Sequence, residues 1–259
     1  MNLLLLEEGD LTGDDRACVR GRRARHVVDV LRAAPGDRVT AGLRGGAMGD
    51  AEVLEAGQDR VTLALRLDRE PPSRSPVSLL LALPRPKILR KVLQAAASMG
   101  VPRIALVGSY RVEKAYFQSP LLEPDAIEAE LRLGLEQGRD TVAPEVSVHR
   151  HWKPFVEDRL DGLFPPEGPA RVVAHPAARE PLGASAPRRE AAVVAIGPEG
   201  GFTAYEESTL AGRGFLPVTF GPRPLRVDVA VPYAVALAEA WLRRGGPGPT
   251  GRPGTPAGG

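Results

Sequence analysis

The stretch Ala192-Val193-Val194-Ala195-Ile196-Gly197-Pro198-Glu199-Gly200-Gly201-Phe202 decides how the rest of the chain is read. Its five apolar residues run without a polar break and stop at Gly-Pro, which predicts a strand covered on both faces, as in a parallel sheet flanked by helices. Gly200 and Gly201 then free the backbone to take positive φ and let a ligand approach the main chain with no Cβ in the way. Thr203-Ala204-Tyr205-Glu206 has the Thr-x-x-Glu form of a capping box, so a helix should begin just after Thr203. Strand, glycine loop and helix therefore follow one another. A tight turn with no ligand is the alternative for such a loop.

Working outward, 259 residues suffice for two domains, and 43% hydrophobic with 25% charged residues describes an ordinary globular protein. No stretch approaches a membrane span. Leu3-Leu4-Leu5-Leu6 is followed at once by Glu7-Glu8 and lacks a basic lead, so it reads as a first strand and not as a signal peptide. The single cysteine, Cys18, excludes a disulfide framework and a cysteine-based metal site, and the cytoplasm is the expected compartment. The four histidines, His26, His149, His151 and His175, are not spaced as a metal set, and no metal is expected. There is no Walker A loop, Gly197 to Gly201 is not the dinucleotide fingerprint, and no serine elbow, Cys-His pair or close carboxylate pair supports covalent or hydrolytic chemistry. Charge is uneven: residues 71–120 hold eight Lys or Arg against the single acid Glu113, while 121–259 hold 15 basic and 18 acidic groups. A polyanion-binding surface would be charged in this way, and so would a solvated basic face.

Residues 1–72 read as a small barrel of short strands, with candidates at 38–42, 51–54 and 60–65 bounded by turn residues. Between the first strands, Arg16 to Arg32 carries six arginines against Asp29, and Val27, Val30 and Leu31 recur at helical spacing. This predicts a helix whose outer face grips phosphates or merely faces solvent. Pro71-Pro72-Ser73-Arg74-Ser75-Pro76 is a stiff connector and the best domain boundary. From 73 to 244 strand and helix alternate, which argues a parallel α/β sheet. Its strands are expected at 77–83, 104–107, near Val146, and at 171–174, 192–196 and 216–220. Helices are expected around Ile88, Val92, Ala95 or Ala96 and Met99, over 127–137, and from about Pro232 to Arg244, with Pro232 in a tolerated first-turn position. The tail 245–259 is rich in Gly, Pro and Thr and is expected to be disordered.

A second loop mirrors the first: the strand 216–220 ends in Gly221-Pro222-Arg223-Pro224-Leu225-Arg226 before the closing helix. Two such loops and an apolar C-terminal helix resemble the knotted SPOUT class of S-adenosylmethionine-dependent RNA methyltransferases. More closely, the chain resembles the RsmE family, which methylates N3 of a uridine in small-subunit (16S) ribosomal RNA. The resemblance runs from near residue 1 to about 244. It rests on Arg25-His26 to Val30-Leu31-Arg32 with Gly36-Asp37, Lys87 with Gly100-Val101, Glu136-Gln137 with Arg139 and Pro144, Ile196 to Gly201, and Gly221 through Ala230. Where that family usually reads Leu-Arg-Thr-Glu-Thr-Ala, this chain has Leu225-Arg226-Val227-Asp228-Val229-Ala230. It also has Ser98-Met99-Gly100 for the common Glu-Leu-Gly, and Ser109 to Lys114 for an arginine-rich segment.

The resemblance implies a PUA-like N-terminal RNA-binding barrel, a C-terminal trefoil-knotted SPOUT methyltransferase domain and a homodimer, here expected through Val235, Leu237 and Trp241 of the last helix. It implies a cofactor site for S-adenosylmethionine made by Ala174, His175 and Pro176, by Ile196, Gly197, Pro198, Gly200 and Gly201, and by Phe220, Gly221, Pro222, Leu225 and Ala230. Candidate RNA contacts are Arg22, Arg23, Arg25, His26, Arg32, Lys87, Lys91, Arg111, Lys114 and Arg139. The implied partner is 16S ribosomal RNA or the small ribosomal subunit. Methylation at another RNA position, a ribose hydroxyl included, and an inactive RNA-binding module are the alternatives. For catalysis, Arg226 stays protonated in proteins and so is the donor that stabilises charge developing on the uracil carbonyls. Asp228 either orients that guanidinium or, were burial to raise its pKa, accepts the N3 proton. A structural ion pair shaping the loop is the alternative for both.

Overall fold

The computed structural model describes residues 2–175, 177–182, 186 and 189–244. The expectation of disorder over 245–259 falls outside them. The first sheet contains β1 (Leu4–Leu6), β2 (Leu11–Gly13), β3 (Arg16–Arg20), β4 (Arg38–Leu43), β5 (Met48–Ala56) and β6 (Arg60–Arg69). Their order is β1-β4-β5-β6-β3-β2, parallel between β1 and β4 and antiparallel elsewhere. Val39, Ala41, Ala51, Val53, Val61 and Leu63 alternate inward along the strands and meet Leu4 and Leu6, so a curled, barrel-like sheet encloses its own core. One expectation fails here. Residues 16–20 form a strand because Ala17 and Val19 are buried at period two, and Gly21 at φ +60 ends it. The helix is confined to α1 (Arg22–Arg25) and a π-helical turn over His26–Val30.

The connector 71–76 is tied down: the Arg74 guanidinium donates to the carbonyls of Val142 and Val101. Beyond it lie β7 (Val77–Ala82), α2 (Pro86–Ser98), β8 (Arg103–Val107), α3 (Pro124–Gly138), β9 (Glu145–His149), α4 (Trp152–Pro154) and α5 (Leu160–Leu163). They are followed by β10 (Ala170–Ala174), β11 (Ala192–Ile196), α6 (Ala204–Gly212), β12 (Leu216–Val218) and α7 (Val227–Arg243). All strands of this second sheet are parallel, in the order β12-β10-β11-β7-β8-β9. Val193 and Ala195 face a core with Phe155 and Phe215, whereas Val194 and Ile196 face α2, α3 and α7. The unbroken apolar run in β11 is thus required by helices on both faces. Chain order reverses between β7 and β11, and α7 returns from the edge strand β12 to pack on α2 and β11 at the centre of the sheet.

Local chemistry explains the helix ends. Thr203 and Glu206 form the capping box expected of them, with Glu206 N donating to Thr203 Oγ1 at 3.3 Å and Thr203 N to the Glu206 carboxylate at 2.8 Å. In α2 the buried positions are Leu89, Val92, Leu93, Ala96 and Ala97, so the stripe read through Ile88 and Met99 lies one residue off the centre of the face. The last helix differs more. It begins at Val227, with Ala230 N donating to Arg226 O at 2.7 Å, and Pro232 sits inside it. The proline removes one donor, but packing of Val231, Ala234, Val235 and Ala238 in the core holds the helix through that point. Val235 is therefore a core residue, with no surface left for contact with a second copy.

The two sheets are joined by polar contacts. Asn2 and Leu3 donate backbone N–H groups to Glu136 O, Arg22 forms a bidentate pair with Glu136 at 2.7 and 3.0 Å, and Arg44 meets Glu128 at 2.5 Å.

Candidate cofactor and catalytic site

The carboxyl ends of β10, β11 and β12 open into a cavity of about 460 Å³, the edge at which open α/β sheets hold ligands. The end of β10 and its loop contribute Ala174, His175 and Ala177. From β11 come Ile196 through Phe202, and from the segment after β12 come Thr219, Phe220, Gly221, Arg223, Pro224 and Leu225. Val227, Ala230 and Ala234 of α7 form one wall, and Arg111 and Glu207 complete the lining. The expected cofactor residues Ala174, His175, Ile196, Gly197, Pro198, Gly200, Gly201, Phe220, Gly221, Leu225 and Ala230 are brought together here. Pro222 is exposed and does not line the cavity, and Pro176 lies outside the described residues. Val227 lies inside the stretch 220–230 expected at the site, whereas Ala234 lies beyond it, on the same face of α7 as Val227 and Ala230; an expected helix start at Pro232 hides that periodicity.

The glycine loop is shaped by its backbone. Gly201 has φ +73, where only glycine sits without strain, and its N–H donates to Pro198 O at 2.7 Å. A Cβ on Gly197 would lie 3.1 Å from Phe202 N, so the loop folds onto itself. Outside it, the Arg111 guanidinium donates to Gly200 O. His175 Nδ1 accepts from Ala177 N at 3.2 Å, which puts the ring proton on Nε2, 3.0 Å from Glu207 Oε1.

A charged cluster borders this cavity. Arg226, the residue before α7, donates from Nε and Nη2 to Asp228 Oδ1 and Oδ2 at 3.2 and 2.8 Å, and Lys91 Nζ reaches Oδ2 at 3.1 Å. The Arg226 side chain is 70% exposed and that of Asp228 only 8%. Hydrogen bonds from Arg226, then from Lys91, hold the Asp228 carboxyl down to about 2, and Asp228 in turn raises the pKa of Arg226. Of the two roles considered for Asp228, the geometry supports orienting the guanidinium, since the paired carboxyl is lowered where the proton-acceptor role called for a raised pKa. Beside it, Arg85 grips Glu199 at 3.1 and 2.5 Å, and this hydrogen bonding raises the pKa of Arg85.

The basic residues divide. Lys87, Lys91, Arg111 and Lys114 are exposed on α2 and in the segment after β8; Arg111 lines the cavity and Lys91 reaches Asp228. Arg25, Arg32 and Arg139 are also exposed, Arg139 in a cleft with Leu31 and Arg38 between the two sheets. His26 is half-buried. Arg22 is paired with Glu136, and Arg23 is turned inward onto Asp10 at 2.5 and 2.8 Å and onto Leu5 O at 2.9 Å. Arg23 therefore braces the barrel. Among the described residues no cluster suits a metal ion, and no helix is long and apolar enough to cross a membrane.

Residues 71–239 match the profile of the RNA methyltransferase domain family. The chain belongs to that family. Among RNA methyltransferases of curated description, it is 29% identical over 250 residues to ribosomal RNA small subunit methyltransferase E of Treponema pallidum, covering 94% of each chain. It is 22% identical over 247 residues to methyltransferase E 1 of Borreliella burgdorferi, covering 93% of this chain and 99% of that one. Among solved structures, ribosomal RNA small subunit methyltransferase E of Neisseria gonorrhoeae, bound to S-adenosylmethionine, superposes with TM-score 0.72 at 23% identity, covering 93% and 97% of the two chains. The resemblance to the RsmE family and the two-part fold it implied, barrel-like sheet and SPOUT domain, are both borne out.

Proposed function

We propose that this RNA methyltransferase transfers a methyl group from S-adenosylmethionine to N3 of a uridine in 16S ribosomal RNA, acting in the cytoplasm as a homodimer. The observation that carries the reading is the adjacency of the three-loop cavity to the Arg226–Asp228–Lys91 cluster. The cavity suits the cofactor: Ile196, Phe220, Leu225, Val227 and Ala230 offer an apolar slot for adenine beside loop main chain, and Glu207 is an acceptor for the cofactor's hydroxyl or ammonium donors. Bound there, S-adenosylmethionine supplies an electrophilic methyl group on a sulfonium. The chain's own task is to hold uracil in line with that methyl and to favour its anion. Arg226, oriented by Asp228 and largely exposed, is the donor for the carbonyl oxygens on which charge develops. Replacement of two family hydroxyls by Val227 and Val229 leaves that pair intact.

The exposed basic side chains on α2 and after β8, with those in the cleft beside the barrel, serve the phosphates of the RNA. For the dimer, Val229, Tyr233, Leu237 and Trp241 recur every fourth residue on α7; the first two are exposed and the others half-buried. A monomeric mass by light scattering would refute the dimer. Methylation is tested by mass spectrometry of ribosomal RNA from cells lacking the protein. One missing methyl on a small-subunit uridine, restored by purified protein and S-adenosylmethionine, is the expected result; an unchanged methylation pattern would overturn the assignment.

A further inference from the structure

A second, larger cavity of about 770 Å³ lies along the same carboxyl edge, under the residues that follow β8 and β9 and the start of α6. It shares a wall with the cofactor cavity: Tyr110 lines one and Arg111 the other, as do Thr203 and Phe202. Glu206 braces that wall. Only 1% exposed, it accepts from Tyr110 N at 2.7 Å and from Thr203 N and Oγ1 at 2.8 and 3.0 Å, so its charge is consumed internally. Two large aromatic rings that line the cavity are left in solvent, Tyr110 at 87% and Tyr205 at 56% exposure. Two exposed cations, Arg150 and Lys153, line it as well. In its wall Ser109, nine-tenths buried, has a hydroxyl oxygen with no hydrogen-bond partner among the described residues.

Exposed aromatic faces beside cations suit an unpaired nucleobase, which stacks on the ring while its phosphate meets the positive charge. A negatively charged ligand is drawn to this mouth, and an aliphatic one would make no use of Arg150 and Lys153. We propose that the cavity is a second nucleotide subsite, which takes an unpaired base flanking the one presented to the cofactor cavity and stacks it on Tyr110 and Tyr205. The subsite rests on the RNA-methylating function proposed above. It adds to that function a means of holding the strand open on one side of the target, through the wall braced by Glu206.

The test uses the full chain with a short single-stranded RNA that contains a uridine and a neighbouring 2-aminopurine. Tyr110→Ala and Tyr205→Ala should each weaken binding by roughly ten- to a hundredfold, as loss of base–aromatic stacking does. They should raise KM for RNA more than they lower kcat and abolish quenching of 2-aminopurine. Tyr110→Phe should bind as the wild type does, and S-adenosylmethionine affinity by calorimetry should be unchanged throughout. Alanine variants that bind and methylate RNA like an active wild type would overturn the subsite alone. A wild type that neither binds nor methylates RNA would overturn the proposed function with it. Variants that lose affinity only for assembled small subunits, and not for the free RNA, would give the cavity to a ribosomal protein and overturn the base-stacking role.

Discussion

Gly200 and Gly201 stand side by side in the loop after β11, yet substitution should affect them differently. At Gly200 a Cβ would meet the Arg111 side chain 3.1 Å away, and that flexible arm can swing aside. At Gly201 there is room, the nearest atom being Arg111 Nη1 at 3.9 Å, but φ is +73. An L-residue with a Cβ pays roughly 1–2 kcal/mol for that conformation, and asparagine pays less. Residues 199 and 200 are exposed, so the free loop can relax to negative φ without disturbing β11, and ligand binding must then restore the strained form. The cost therefore falls on cofactor affinity: at about 1.4 kcal/mol per tenfold, Gly201→Ala should weaken S-adenosylmethionine binding about five- to thirtyfold. Gly201→Val should be worse, because β-branching further disfavours positive φ, and Gly201→Asn should be the mildest of the three. Gly200→Ala should stay within a fewfold of wild type. Isothermal calorimetry, with melting temperature as the control for cost displaced into the fold, measures the series. Equal losses for alanine and asparagine at 201, or a larger loss at 200 than at 201, would refute the backbone argument.

Arg226→Ala should lower turnover by about a hundredfold or more with cofactor affinity little changed, since one preorganised donor is lost; single-turnover methylation and calorimetry separate the two effects. Asp228→Glu, which restores the family's usual residue, should keep or raise activity in the same assay. Asp228 is held at about 2 against an ordinary 3.8, so its contribution to stability is complete above 3.8 and is lost as pH falls from there toward 2. Acid melts of Asp228→Asn should accordingly lose less stability across that window than the wild type, and parallel curves would count against the ion cluster. Arg23→Ala strands Asp10 with most of its side chain buried and should destabilise the protein by about 3 kcal/mol in urea unfolding. Arg25→Ala, at an exposed position, should leave stability alone and reduce the salt dependence of RNA binding, as removal of one phosphate contact does.

What was legible in the sequence was what short-range pattern determines. The apolar run 192–196 announced a strand buried on both faces, and Thr203 with Glu206 announced the start of α6, because each signal is complete within a few residues. Arg16 to Arg32 misled because repeated arginine conceals the inward alternation of Ala17 and Val19, and only pairing with β6 makes that segment a strand. Pro232 misled in the opposite sense: local preference puts proline in a first turn, whereas core contacts of Val231 and Val235 carry α7 through it. Which arginines are free to meet RNA depends on distant partners. Arg23 ends on Asp10, 13 residues away, and Arg22 on Glu136, 114 residues away. The cavity beside Tyr110 was equally hidden, since it is assembled from three segments that no spacing connects.

The charges around the site bear on how the proposed transfer to a uridine N–H would proceed. Glu199 is clasped by Arg85, Asp228 by Arg226 and Lys91, and Glu207 accepts the hydrogen bond of His175 on the cofactor side. Every one of these carboxylates is thus already engaged, and the cluster of Arg85, Lys91 and Arg226 against Glu199 and Asp228 carries one positive charge in excess. Such a site favours the uracil anion of the proposed reaction by lowering the cost of the charge left when the N3 proton departs to solvent. Asp228 then serves by position: it holds the guanidinium in one orientation at the start of α7, where a freely rotating arginine would spend much of its time in water. The shorter aspartate in place of the family's glutamate moves that anchor closer to the backbone without changing its charge. Arg226→Ala should therefore cost about a hundredfold in turnover and Asp228→Glu nothing.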